Sequence, residues 1–208
     1  MTTLQSKPED RIVRTPFDVG LVVVGVGLLV LSALPVNEHS ISGTEGTFFH
    51  AINRPTVLPF AVVWAIMQLG NIAVVPIAAA VAAATRRWLL ALGILIGGIA
   101  TYVLAKVVKG IVVRGRPASL LDDVKIRGSA ALGRGYVSGH AAVVTLLVVL
   151  AWPYLGHRGR LITIALATFV CLARVHVGAH LPLDIVGGAA LGFAVAGLIR
   201  LILGHPDR

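Results

Sequence analysis

Of the 208 residues, 57% carry hydrophobic side chains and only 13% are charged, and the mean hydropathy is +0.90. Such a chain has too few polar side chains to cover the surface of an ordinary soluble domain, and that class is excluded. The net charge of +9 does not mark a nucleic-acid binder, because the basic residues stand singly or in pairs between apolar runs and share no polar face.

A bilayer span takes about 20 apolar residues, so the length provides for about six helices with short connections and no separate soluble domain. The chain therefore reads as one all-α domain over residues 1–208, a six-transmembrane-helix bundle. Residues 1–16 are polar and carry Lys7, Arg11 and Arg14, which makes them a cytoplasmic tail. The apolar run at 19–36 is longer than a signal-peptide core and has no clear small-residue cleavage site, so it is a retained first span.

Ser42-Gly43-Thr44-Glu45 has the pattern of a capping box opening a short helix that runs to Asn53. Its Phe48, Phe49 and Ile52 suit a helix lying on the membrane surface. His39 and His50 are 11 residues apart with no suitably spaced third ligand, so no metal site is expected there.

The second span covers 58–85, interrupted at Pro76. The third covers 88–108, with Gly93, Gly97 and Gly98 permitting close helix contact. The polar connection from Lys106 to Gly139 holds seven of the 18 Lys and Arg residues. Spans at 140–155, 161–176 and 183–203 complete the bundle, with Arg200 placed to snorkel. Tyr136 and Trp152 suit anchoring at the interface. Cys171, the single cysteine, lies in an apolar run as a small core hydrophobe and allows no intrachain disulfide.

The tail, Arg86-Arg87, Arg158 with Arg160, and Arg200 with Arg208 all fall on one side, which the positive-inside rule makes cytoplasmic. The connection with seven basic residues then lies outside, against the rule. A departure of that size calls for a function, and anion binding is the first candidate.

Three clusters carry the chemistry and converge on the outer side, at the ends of helices three to six. Lys109 and Arg116 are seven residues apart, two turns or about 10 Å if helical, and can face one anion. Ser138-Gly139-His140 opens a span, so backbone N–H groups point outward beside a hydroxyl. Arg174, His180 and Asp184 lie within the segment RVHVGAHLPLD. His180 and Asp184 stand four residues apart, with Pro182 suited to the first turn of the last helix. The carboxylate can hold one ring nitrogen and leave the other free as nucleophile or base. Ionisable groups at this depth are costly, which argues that they are paired or reactive. Arg160 and Arg174 are separated by only 13 residues, about 20 Å of helix against a core of roughly 30 Å, so Arg174 is recessed below the outer surface. His176 reads as structural, and Arg114, Lys106, Lys125, Arg127 and Arg134 as solvated or headgroup-facing, with Arg127 and Arg134 available to a second phosphate.

Lys109-(six residues)-Arg116-Pro117, then Ser138-Gly139-His140, then Arg174-(five residues)-His180-(three residues)-Asp184 resembles the three-part signature of the type-2 phosphatidic acid phosphatase superfamily. The resemblance implies that His180 attacks phosphorus to form a phosphohistidine while Asp184 orients its ring. It implies that His140 protonates the leaving oxygen and then activates water. Lys109, Arg116 and Arg174, with Ser138 and the Gly139 amide, would hold the phosphoryl oxygens. The family pattern has proline where this chain has Val137 and serine where it has Ala173.

The function expected is an integral plasma-membrane phosphatase without metal or other cofactor, acting outside on a lipid phosphate or diphosphate monoester. A polyprenyl diphosphate such as undecaprenyl diphosphate is the first substrate, given the cation-rich connection; phosphatidic acid or phosphatidylglycerophosphate is the second. The rival from another class is a non-catalytic module that binds lipid phosphate in a basic pocket. Binding alone needs no nucleophile with an orienting carboxylate, so His140, His180 and Asp184 favour the enzyme.

Overall fold

The computed structural model describes residues 11–56, 58–129 and 132–207. Nearly all secondary structure is helical: α1 (Pro16–Ala33), α2 (Gly43–Asn53), α3 (Phe60–Met67), α4 (Val74–Ala84), α5 (Trp88–Ile111), α6 (Pro117–Leu120), α7 (Gly139–Ala151), α8 (His157–His176) and α9 (Pro182–Leu203). Two short strands, β1 (Ile12–Val13) and β2 (His205–Pro206), pair antiparallel next to the chain ends.

Four helices, α1, α5, α8 and α9, are long and apolar enough to cross a bilayer, and α3 with α4 makes a fifth candidate as a bent pair. The helix Gly139–Tyr154 is apolar but shorter. Their outward faces carry Val23, Leu31, Ile99 and Ile162, all exposed. That is the pattern of a multi-pass membrane protein, in which lipid covers apolar surface that water would not tolerate.

The expected second span is not one rod. It breaks after Met67 in a 3-10 turn over Gln68–Gly70, and the two halves meet at 67°. Pro76 does not cause the break. It sits in the first turn of α4, where a missing N–H removes no helix bond. At the break Gly70 lies so close to α7 that a Cβ would stand 2.8 Å from the His140 carbonyl. Asn71 satisfies the opened backbone, accepting from Ala73 N–H at 3.0 Å and donating to Gln68 at 3.2 Å.

The centre of the bundle is α9, which packs against α1, α7 and α5. Glycines let the backbones approach. A Cβ on Gly25 of α1 would stand 2.5 Å from Ala194 N, and one on Gly192 would stand 2.5 Å from the Ala142 carbonyl. Small residues serve this purpose in lipid, where packing and not water exclusion holds helices together. The main apolar core is built around Leu146, Leu150, Leu191, Val195 and Ile199. Val137 and Ala173, the two departures from the family pattern, are both buried in apolar clusters.

Two side chains are placed differently from expectation. Arg200 does not snorkel: it is buried and ion-paired to Asp18 at 2.7 Å, with His205 also on Asp18 at 3.2 Å. Tyr136 is fully buried beneath the bundle end, its hydroxyl donating to Leu29 O at 2.8 Å and lying 2.8 Å from Ser32 Oγ.

Candidate active site

The start of α9 sets the site. Pro182 occupies the first helical position, and the Asp184 carboxylate turns back so that Oδ2 accepts from Leu181 N–H at 3.0 Å. The same oxygen lies 3.2 Å from His180 Nδ1. Both residues are buried, His180 at 2% exposure and Asp184 at 0%. The main chain ties this corner to α7, because Ser138 N–H donates to the Asp184 carbonyl at 2.8 Å.

With Nδ1 facing the carboxylate, His180 presents Nε2 on its other side. Arg116 Nη1 lies against the ring, 3.0 Å from Nε2 and 3.3 Å from Nδ1, and donates to Ala179 O at 2.7 Å. Burial pushes the His180 imidazole down to about 3, against the opposing pull of the Asp184 hydrogen bond.

Arg174 closes the far side. It stands in the last turn of α8, is within electrostatic reach of both the His140 and His180 rings, and has a buried Nε without a hydrogen-bond partner. Its recorded contact is Nη1 to Met67 Sδ at 3.3 Å. His140 and Arg174 line a cavity of about 470 Å³ with Arg127, Ser129, Gln68 and Asn71, beside the Ala179 that precedes His180. Ser138 caps α7, its Oγ accepting from Ala141 N at 3.5 Å, and it is fully buried. Gly139 follows as the first helical residue with open space around its Cα.

Lys109 belongs to the same corner but is differently employed. Its ammonium donates to the carbonyls of Arg134 and Gly135 at 3.1 Å each and of Val137 at 2.6 Å. It thereby shapes the loop that delivers Ser138 to the site.

Reasoning from sequence missed two members of the site. Arg114, expected to be solvated, is only 1% exposed and donates to Asp184 Oδ1 at 3.1 Å. Glu45, read as the return half of a capping box, sends its carboxylate instead to Arg114 and to Leu183 N–H at 3.0 Å. The Ser42 half of that box is present, with Oγ accepting from Glu45 N–H at 3.2 Å. His176 is structural in geometry, its Nδ1 lying 3.0 Å from Ile52 O. Arg127 donates to the carbonyls of Asn53 at 2.7 Å and His176 at 2.5 Å, while its side chain borders the cavity.

Within this helical membrane protein a buried histidine sits on its carboxylate with Arg116 beside the ring, and His140, Arg174 and Arg127 line a cavity next to Ala179. The family model of the PAP2 superfamily matches residues 86–205, and the chain belongs to that superfamily. No curated protein sequence matches it. Among solved structures it is similar to LpxE of Aquifex aeolicus, with 23% identity, a TM-score of 0.68, and coverage of 75% of this chain and 93% of the other. It is also similar to the first transmembrane PAP2 type phosphatidylglycerolphosphate phosphatase from Bacillus subtilis. There the identity is 22%, the TM-score 0.63, and the coverage 88% of this chain and 94% of the other. At these identities the likeness speaks for the fold.

Proposed function

We propose that the chain is a lipid phosphatase of the plasma membrane that hydrolyses a phosphate or diphosphate monoester through a phosphohistidine at His180. The observation that carries this reading is the buried His180, held by Asp184 on Nδ1 with the Arg116 guanidinium against its ring. A binding pocket has no use for an imidazole oriented by a buried carboxylate.

In the first step Nε2 attacks phosphorus, the ester P–O bond breaks, and the leaving oxygen takes a proton from His140. In the second, water gives a proton to His140 and attacks phosphorus, the P–N bond breaks, and phosphate leaves. Arg116 has to give up Nε2 as substrate enters, and the phosphoryl oxygens supply its new acceptor. Arg174, with an unpartnered Nε, and the N–H of Gly139 at the start of α7 complete the cradle. Lys109 stands behind the cradle, and Ser138 sets its position. Fixed cations take the charge that a metal would otherwise carry, so turnover is metal-independent.

The substrate favoured is a polyprenyl diphosphate. The cavity of about 470 Å³ exceeds what one phosphoryl group fills, and Arg127 borders it as a further cation. Phosphatidylglycerophosphate is the second reading, since one similar structure is a phosphatase of that lipid. We place six spans across the bilayer, counting the bent pair and the short α7 helix, with both ends cytoplasmic and the site outside. The distribution of basic residues supports that orientation. The whole of residues 1–208 then works as one catalytic unit.

The test is phosphate release from a panel of lipid phosphates in detergent with chelator present. Wild type is expected to turn over a polyprenyl diphosphate fastest, and His180→Ala to lose at least about 10³-fold in kcat, as when a nucleophile is removed. Equal silence of wild type and variant on every lipid would favour the non-catalytic module.

A further inference from the structure

Glu45 belongs to α2, outside the three sequence clusters, yet it is 6% exposed. A carboxylate at that depth needs partners. Oε1 accepts from Leu183 N–H at 3.0 Å and from Arg114 Nη1 at 3.1 Å, and Oε2 is ion-paired with Arg114 Nη2. Arg114 Nη1 also holds Asp184 Oδ1 at 3.1 Å, and Asp184 Oδ2 lies 3.2 Å from His180 Nδ1. The four side chains make one line, Glu45 to Arg114 to Asp184 to His180, buried along its length. Leu183 is the neighbour of Asp184, so Glu45 grips both the helix turn that carries the catalytic carboxylate and the guanidinium that holds it.

We propose that Glu45 is a positioning residue for the His180 nucleophile, acting through Arg114 and Asp184. The proposal rests on the reading of His180 given above. Left without Glu45, Arg114 would be balanced by Asp184 alone, drawing the carboxylate away from the imidazole and lowering its basicity. With Glu45 in place, two carboxylates and one guanidinium carry a net single negative charge. That charge faces a ring that becomes positive as Nε2 bonds to phosphorus while Nδ1 keeps its proton. The ester P–O bond breaks in the same step, its electron pair leaving with the oxygen that His140 protonates. The stabilisation arises only as charge develops, so it acts on kcat and leaves ground-state binding alone.

The experiment compares Glu45→Gln, Glu45→Asp, Ser42→Ala and His180→Ala with wild type. All are full-length chains in detergent, assayed for phosphate release from the best lipid of the panel and for thermal unfolding. Glu45→Gln is expected to lower kcat about 10- to 100-fold, the range for weakened support of an acid-base or nucleophilic group, with KM within about twofold. Glu45→Asp keeps the charge on a shorter stem and is expected to fall between Glu45→Gln and wild type. Ser42→Ala loosens the start of the same helix but leaves the carboxylate, so it is expected to lower the unfolding temperature without lowering kcat.

A wild-type kcat in folded Glu45→Gln overturns the proposal. If Glu45→Gln does not fold, a wild-type kcat in Glu45→Asp overturns it equally. A kcat that falls in Ser42→Ala in step with stability also overturns it, showing that α2 acts only as scaffold. Activity surviving in His180→Ala would sink the catalytic reading itself, and is separately visible from any of these results.

Discussion

His180 shows what burial does to a histidine at the residue scale. Removal from water holds its pKa near 3, below the ordinary value of about 6.5. The folded protein therefore keeps the ring neutral while pH falls through the range in which an unfolded chain would protonate it. The stability of the fold is fully present above pH 6.5 and declines toward pH 3, as protons bind the unfolded form. Imidazole ¹⁵N shifts in detergent are expected to show His180 neutral from pH 7.5 to 5; a protonated ring at pH 5.5 would contradict the geometry described. His140, His180, Asp184, Arg116 and Arg174 could be singled out in the sequence because ionisable groups are few in so apolar a chain and, within each cluster, the spacing is short. Glu45 was not, because its role depends on α2 folding against α9, and its position three residues after Ser42 offered a local explanation that was only half right.

The apolar runs at the element scale announced where helices lie, since lipid demands about 20 such residues wherever the chain crosses. The sequence points to Pro76 for an interruption of the second span, whereas the break falls at Gln68–Gly70, where Gly70 meets His140 across the bundle. Helix contacts yield a sharp expectation. Gly25→Leu would push side-chain atoms into the α9 backbone, whereas at Gly27, two residues on, nothing lies within 4 Å. Gly25→Leu is expected to destabilise by about 1–3 kcal/mol through overpacking. Thermal unfolding in detergent would show it as a lowered midpoint, with Gly27→Leu unchanged. Equal effects of the two would mean that α1 and α9 do not meet as described.

At the scale of the whole molecule, the start of α1 and the end of α9 are held together by a buried cluster separate from the candidate site. Asp18 accepts from Thr15 N–H at 2.7 Å, pairs with Arg200, and lies near His205. Arg14 adds bonds to Leu201 O at 2.7 Å and Ile202 O at 2.9 Å. Removing one member strands the others in a low-dielectric setting. Asp18→Ala is expected to cost about 3 kcal/mol of stability, read as a lower unfolding temperature, while kcat and KM of the folded fraction stay at wild-type values. A fall in kcat without loss of stability would show instead that this cluster communicates with the catalytic corner. None of it was legible in advance: Arg200 looked like any basic residue near a helix end, and its partner is 182 positions away.

The pairing of Ile12 with Pro206 and of Val13 with His205 has a topological consequence. Because these two segments, 193 positions apart, touch, the described backbone closes into a loop around the bundle, and a short link between them would brace it without rearranging any helix.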